Sequence, residues 1–169
     1  MRLAIVDVDY RGTGARAACI VADGWCAAAP IATYTCDIDT VQPYEPGLFY
    51  KRELPCVLAV LDRVKEPLDA IVIDGYVWLS CADRPGLGAR LHETLVSKTP
   101  VVGIAKTAFA GAATAAVVAP VLRGSSASPL YVTSIGMALD VAAQQTRLMH
   151  GPSRIPTLLR LVDQLARSA

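Results

Sequence analysis

The sequence predicts an α/β protein in which a mixed β-sheet is flanked by α-helices. Three short runs rich in apolar and β-branched residues stand near the start of the chain, separated by turn residues, which is typical of antiparallel strands. Further along, apolar strands alternate with segments of helical periodicity, which indicates parallel strands joined by helical crossovers. No repeat or linker divides the 169 residues, so we expect a single domain covering residues 1–169.

The N-terminal strands are predicted from three runs. Residues 3–10 form the first, which the turn sequence Arg11-Gly12-Thr13-Gly14 closes. Residues 17–22 follow at once, so a hairpin with the first strand is expected, and residues 31–38 supply a third strand. Together these runs predict an antiparallel meander.

The remaining elements alternate. Residues 54–64 have apolar side chains at helical spacing, and Pro55 is expected in the first turn, where its missing N–H costs nothing. Short apolar runs predict buried strands, whereas longer amphipathic segments predict helices. The predicted strands are 69–74, 100–105 and 130–133; the predicted helices are 86–98, 138–147 and 155–167; and 108–121 is ambiguous.

Composition excludes several classes of protein. With 53% hydrophobic and 18% charged residues the chain is too apolar to be disordered. No stretch approaches the roughly 18 apolar residues that a membrane helix needs, and no leader sequence is recognisable, so we expect a cytoplasmic protein that does not associate with membranes. The formal charge of +1 means that any nucleic-acid groove must be a local feature.

Cysteine and histidine usage bears on the type of metal site. The five cysteines are odd in number and form no C-x-x-C pair, so we expect reduced packing residues rather than disulfides or a zinc knuckle. Histidine occurs only at His92 and His150, which disfavours a zinc site. An oxygen-only site for a hard cation is the better prediction.

Two acidic residues stand at the ends of predicted strands. Asp7 lies in Ile5-Val6-Asp7, and Asp74 ends the run 69–74. A buried carboxylate is costly unless it is neutralised, and a divalent cation such as Mg²⁺ would neutralise it. Taken alone, both residues are more readily explained as strand-end acids that cap backbone N–H groups, because such caps are common. Glu53 provides a third acid at the expected start of a helix.

Six short blocks, in this order, resemble the motifs of the endonuclease V family, whose nuclease fold is similar to ribonuclease H. They span residues 6–136, and their order and spacing are more specific than any one of them. The blocks are Val6-Asp7-Val8-Asp9-Tyr10, Pro43-Tyr44-Glu45-Pro46-Gly47, Lys51-Arg52-Glu53, Val72-Ile73-Asp74-Gly75, Val102-Gly103-Ile104-Ala105-Lys106-Thr107 and Tyr131-Val132-Thr133-Ser134-Ile135-Gly136.

The resemblance implies a metal-dependent endonuclease that cuts inosine-containing (deaminated) DNA or RNA on the 3′ side of the lesion. It implies that Asp7, Glu53 and Asp74 bind Mg²⁺, with Mn²⁺ as a possible substitute, and that Lys106 lies near the scissile phosphate. The residues implied to contact nucleic acid include a strand-separating wedge and two glycines that allow close approach of the backbone. They are Pro43, Tyr44, Pro46 and Gly47 for the wedge, and Gly75 and Gly103 for the close approach. On its own, Tyr44 is equally consistent with an ordinary turn aromatic. A lysine such as Lys106, taken alone, is more often a solvated charge.

The chain departs from the family pattern at two positions. Met137 stands where the family usually has histidine, and Tyr76 replaces the histidine of Asp-Gly-His-Gly; His92 falls near a family histidine of the next helix. The helical segment that precedes the first strand in the family lies outside this sequence. Two alternatives therefore stay open: a catalytically impaired module that binds nucleic acid or protein, and an enzyme of the same fold with a changed substrate.

Overall fold

The computed structural model describes residues 1–43, 45, 48–79, 84–109 and 116–168, which form one seven-stranded sheet and four helices. The strands are β1 (Arg2–Arg11), β2 (Gly14–Asp23), β3 (Ala32–Ile38), β4 (Ala70–Ile73), β5 (Val101–Ala105), β6 (Ala119–Val121) and β7 (Leu130–Ile135). The helices are α1 (Phe49–Leu61), α2 (Leu87–Thr94), α3 (Leu139–Leu148) and α4 (Thr157–Arg167).

The sheet is mixed, as predicted, with strand order β3-β2-β1-β4-β5-β7-β6. The N-terminal meander is confirmed, because β1 pairs antiparallel with β2 and β2 with β3. Strands β1, β4 and β5 are parallel neighbours, whereas β7 runs antiparallel to both β5 and β6. Three parallel strands therefore lie at the centre, with their carboxyl ends at one edge.

Alternate residues of the central strands pack on opposite faces of the sheet, as the two-residue period of a strand requires. On β1, Leu3 and Ile5 join a core with α3 and α4, whereas Ala4 and Val6 join a core with α1 and α2. Because helices cover both faces, the central strands are apolar throughout. No helix among the described residues combines the length and apolar character that crossing a membrane requires.

The start of helix α1 differs from the prediction. The helix begins at Phe49 rather than near residue 54, so Pro55 lies inside it and not in its first turn. A proline inside a helix removes the hydrogen bond to the carbonyl four residues earlier, here that of Lys51. Both Pro55 and Lys51 are exposed, so water has access to that carbonyl. The structural consequence is that Glu53 lies in the second turn and faces the sheet.

Within the ambiguous segment 108–121, residues 119–121 form the edge strand β6. Residues 110–115 lie outside the described residues.

Candidate active site

Three predicted site residues stand where the parallel strands end. The parallel pairing of β1 and β4 finishes with Val6 opposite Ile73; Asp7 is the next residue of β1, and Asp74 is the first residue after β4. Lys106 directly follows β5, the next parallel strand. In sheets of this kind, ligands bind beyond the carboxyl ends of the strands. The topology therefore brings Asp7, Asp74 and Lys106 to a single edge.

Glu53 reaches this edge from α1, on the face of the sheet opposite α4. Its neighbours in the helix, Cys56 and Val57, pack into the core beneath α1 and fix the orientation of this helix. Glu53 is only 8% exposed, although carboxylates are rarely buried without a partner. Among the described residues, no hydrogen-bond donor contacts its carboxylate.

Burial and mutual repulsion disturb the titration of these acids. Burial, followed by the charges of Asp7 and Asp74, raises the pKa of Glu53 to about 8. The pKa of Asp7 is raised to about 6, and here burial is the largest cause and the charge of Asp74 the second. The three carboxylates are thus close enough to disfavour one another's ionisation. Excess negative charge of this kind favours the binding of a cation.

Lys106 provides the positive charge that the protein itself places in this cluster. Its Nζ donates a hydrogen bond to Oδ2 of Asp74 at 2.5 Å. Burial lowers the pKa of the Lys106 amine, but the hydrogen bond to Asp74 and the nearby carboxylate charges outweigh it and raise this pKa overall. Lys106 is therefore held as a cation beside the carboxylates.

The donor set fits a hard divalent ion, because carboxylate oxygens are the ligands that Mg²⁺ prefers. In the part of the chain that the structure describes, however, no three acidic, histidine or cysteine side chains already have the geometry of a metal site. The structure brings Asp7, Glu53 and Asp74 into electrostatic contact without arranging them around one point. The assignment of these residues as metal ligands stays a prediction.

Asp163 is a fourth acid of the cluster that the sequence did not reveal. It lies on α4, and its charge raises the pKa of both Asp7 and Lys106. Its carboxylate also pairs with Arg167 at 3.1 Å, one turn later in the helix. In the sequence it resembles an ordinary i,i+4 surface pair. Only the packing of α4 against β1 places it near the site.

An open pocket of about 330 Å³ adjoins the acids. Its lining includes the acids Glu53 and Asp74 and four aromatic residues: Phe49, Tyr50, Tyr76 and Phe109. The volume and the aromatic lining are of the kind that accepts a flat ring.

Two arginines reinforce the aromatic walls of this pocket. The guanidinium carbon of Arg84 lies 5.9 Å from the centre of the Phe109 ring, and that of Arg90 lies 5.1 Å from the Tyr50 ring. Both are within the range of a cation–π contact. Arg84 lines the pocket together with Glu53 and Asp74, and Arg90 also pairs with Glu93 at 3.4 Å, so charges of both signs surround the aromatic walls.

The two predicted glycines occupy different environments. Gly75 lines the pocket with φ +149° and has open space where a Cβ would be, so only glycine adopts this conformation readily. Gly103 is buried, and a Cβ there would lie 2.5 Å from the carbonyl oxygen of Gly75 and 2.8 Å from Oγ1 of Thr133. Gly103 thus allows protein backbone, rather than nucleic acid, to approach closely.

The predicted wedge is described only in part. Pro43 is exposed and lies outside any helix or strand. Tyr44, Pro46 and Gly47 lie outside the described residues, so their predicted contact with nucleic acid stays a prediction.

The two departures from the family pattern have clear packing roles. Met137 is half-buried against the core that contains α3 and α4. Tyr76 is 9% exposed and forms part of the pocket wall. Each replacement of histidine therefore provides an apolar surface at its position.

Residues 1–164 match the sequence model described as Endonuclease V. The endonuclease V of Streptomyces avermitilis is 34% identical over 145 residues, which are 75% of this chain but only 62% of that protein. The endonuclease V of Desulfurococcus amylolyticus is 32% identical over 178 residues, covering 96% of this chain and 78% of its own. The sequence match thus covers less than two thirds of the Streptomyces relative's own length.

Solved structures agree with this match. The crystal structure of the Streptomyces avermitilis enzyme has a TM-score of 0.78 at 31% identity, over 99% of this chain and 80% of that one. An endonuclease V from Ciona intestinalis, solved with DNA containing an inosine followed by a ribo-adenosine, has a TM-score of 0.80 over 98% of this chain and 83% of that one. At 17% identity, the second likeness concerns the fold alone. The predicted ribonuclease H-like fold is confirmed.

Proposed function

Because this chain belongs to the endonuclease V family, we propose that it hydrolyses phosphodiester bonds in inosine-containing DNA or RNA and cuts 3′ to the deaminated base. The observation that carries the proposal is the meeting of Asp7, Glu53 and Asp74 at one sheet edge. Each buried acid there raises its neighbours' tendency to remain protonated, as the elevated pKa values of Asp7 and Glu53 indicate. Such a cluster is suited to a divalent cation, for which we propose Mg²⁺, with Mn²⁺ as a substitute.

In this proposal Asp7, Glu53 and Asp74 hold the metal, which when bound would activate water and stabilise the charge of the phosphate undergoing attack. Lys106 provides a positive charge at the same edge. Its amine, now paired with Asp74 at 2.5 Å, is positioned to donate a hydrogen bond to a phosphate oxygen instead. Burial of Glu53 keeps bulk water away from one side of the cluster.

We further propose that the aromatic pocket receives the deaminated base. Glu53 and Asp74 both line the pocket, so a base bound in it would lie beside two of the acids proposed to hold the metal. Stacking on an aromatic ring is worth about 1–3 kcal/mol per base, which offsets the unstacking of a base drawn out of its strand. Gly75 has no side chain to narrow the pocket that it lines. Pro43, Tyr44, Pro46 and Gly47 would separate the two strands of a nucleic-acid duplex beside the deaminated base.

The test is the incubation of wild-type protein with single-stranded DNA and RNA, each containing one inosine, in the presence of Mg²⁺ or Mn²⁺. We expect one cut on the 3′ side of inosine and none in the adenine-containing control. Asp7→Ala should reduce the cleavage rate by at least about a hundredfold, because it removes a carboxylate from the cluster. Asp7→Ala should retain oligonucleotide binding.

Asp9→Asn is the matched control for Asp7→Ala. Asp9 lies two residues further along the same strand and is paired with Arg11 at 3.0 Å, outside the acid cluster. Its substitution should leave cleavage within about twofold of wild type. Equal rates for Asp7→Ala and wild type would contradict the proposal.

The same experiment separates the alternatives. Binding of oligonucleotides without cleavage under either metal would indicate a module that has lost turnover. Cleavage that ignores inosine would indicate an enzyme with a changed substrate. We also propose a cytoplasmic location, which cell fractionation would test.

A further inference from the structure

The Tyr76 hydroxyl forms hydrogen bonds with the segment that follows β5, residues 106–109. It donates a hydrogen bond to the carbonyl oxygen of Thr107 at 2.8 Å and accepts one from the backbone N–H of Phe109 at 3.1 Å. One side-chain oxygen thus satisfies two backbone groups of a stretch without regular secondary structure.

The fastened segment forms a wall of the pocket. The Phe109 ring meets the Tyr76 ring edge to face, with centroids 6.1 Å apart, and the guanidinium carbon of Arg84 lies 5.9 Å from the centre of the Phe109 ring. All three side chains line the pocket. The position of Phe109 therefore decides the width of the space available to a flat ligand.

The other end of the segment is held separately. The Arg154 guanidinium donates hydrogen bonds to the carbonyl oxygens of Lys106 and Pro129, the latter at 3.0 Å. Lys106 is also the first residue after β5 and pairs with Asp74. Loss of the Tyr76 hydroxyl should therefore loosen Phe109 while leaving Lys106 in place.

We propose that Tyr76 is a positioning residue that holds Phe109 against the pocket and thereby determines how tightly the site binds the base of its substrate. This inference rests on the proposed function. In this inference the two ends of the segment after β5 have different roles: Lys106 acts on the phosphate, whereas Phe109 contributes to binding of the base.

The test is Tyr76→Phe, which keeps the aromatic ring and removes only the hydroxyl. On the inosine-containing oligonucleotide we expect KM to rise about five- to tenfold, whereas kcat stays within about twofold, because ground-state binding is weakened and the reacting groups are not displaced. We also expect the Phe109 amide to exchange with solvent at least about tenfold faster. Thermal unfolding monitors the integrity of the whole protein.

Tyr131→Phe is the matched control. Tyr131 packs against the same small cluster as Tyr76, but among the described residues its hydroxyl makes no hydrogen bond. Its KM, kcat and Phe109 exchange rate should match wild type. An unchanged KM and an unchanged Phe109 exchange rate in Tyr76→Phe would overturn the inference, and so would an equal fall in kcat and kcat/KM. The two proposals can fail separately. A wild-type protein that cleaves no substrate would refute the proposed function, whereas the exchange rate of the Phe109 amide can be measured without catalysis and would still test the role of Tyr76.

Discussion

Nζ of Lys106 lies 2.5 Å from Oδ2 of Asp74, so the residue proposed to contact phosphate is bonded to one of the residues proposed to bind metal. Both side chains are about one-third exposed, which makes this pair accessible to solvent and to ligands. The lysine donates a hydrogen bond to a carboxylate oxygen of Asp74 that a divalent cation would need as a ligand. Binding of the metal and release of Lys106 towards substrate are therefore expected to be coupled.

Lys106→Met should separate these two effects. The substitution frees the Asp74 oxygen, so the Mg²⁺ concentration that gives half-maximal activity should fall about two- to fivefold. Removal of the positive charge near the phosphate should at the same time reduce kcat by about tenfold or more. Activity measured over a titration with Mg²⁺ gives both values.

Lys65→Met is the control for this charge change, since Lys65 is exposed in the connection between α1 and β4. Its rate and its Mg²⁺ dependence should both equal those of wild type. If Lys106→Met required more Mg²⁺ rather than less, competition between the amine and the metal would be wrong.

The stability of the metal-free protein should decrease as the pH rises. The folded state raises the pKa of Glu53 from 4.5 to about 8 and that of Asp7 from 3.8 to about 6. Folding therefore favours the protonated carboxyls. Their contribution to the free energy of unfolding is fully present below the unfolded-state pKa values and is lost as the pH rises through the folded-state pKa values. Urea unfolding in EDTA should give a lower free energy of unfolding at pH 8 than at pH 5.

Glu53→Gln should remove most of this dependence, because the amide is neutral throughout. One pKa unit corresponds to about 1.4 kcal/mol, so the advantage of Glu53→Gln over wild type should grow by more than that between pH 5 and pH 8. The exposed Glu93 provides the control substitution, Glu93→Gln. At pH 8, added Mg²⁺ should stabilise the wild-type protein more than it stabilises the Glu53→Gln variant. A free energy of unfolding of the wild type that does not change with pH would contradict the burial of an acid cluster.

Gly103→Ala should destabilise the sheet beneath the site. The added Cβ would lie 2.5 Å from the Gly75 carbonyl oxygen and 2.9 Å from the Val77 nitrogen, both of them backbone atoms that cannot rotate away. Overpacking of this kind costs about 1–3 kcal/mol. Chemical denaturation measures the loss.

Gly12→Asn is the comparison for Gly103→Ala, since Gly12 lies in open space with φ +57°, a conformation that asparagine tolerates. Its cost should stay below about 1 kcal/mol. A Gly103→Ala variant as stable as wild type would show that the neighbouring backbone moves more readily than the packing indicates.

Arg123 should be important for stability although it lies away from the acids. It is 6% exposed and donates hydrogen bonds to five carbonyl oxygens, one in the last turn of α3 and four in the connection to α4; they belong to Arg147, Met149, Gly151, Ser153 and Arg154. Arg123→Met leaves these acceptors without their donor and should cost roughly 3 kcal/mol. Arg160→Met, at an exposed helical position, should be nearly neutral. Equal midpoints in thermal unfolding would contradict this role.

Local sequence patterns were sufficient for every strand except β6, which lies in the ambiguous segment 108–121, and for most helices. Alternating and continuous apolar runs reflect burial directly, so the meander and the parallel strands β4 and β5 could be predicted from periodicity alone. The start of α1 could not, because Pro55 is a strong local signal for a helix start, and contacts of α1 with the sheet outweigh it.

The sequence by itself determined the composition of the site: two acids, Asp7 and Asp74, each directly after an apolar run, a glutamate and a lysine at motif spacing, and too few histidines for zinc. Only the tertiary structure decided which groups meet. Asp163 joins the cluster because α4 packs on β1, Lys106 pairs with Asp74 because β4 and β5 are neighbours, and Tyr76 holds Phe109 across a gap of 33 residues. Periodicity records whether a residue is buried, whereas electrostatic and hydrogen-bond partners depend on distances between elements that are remote in sequence.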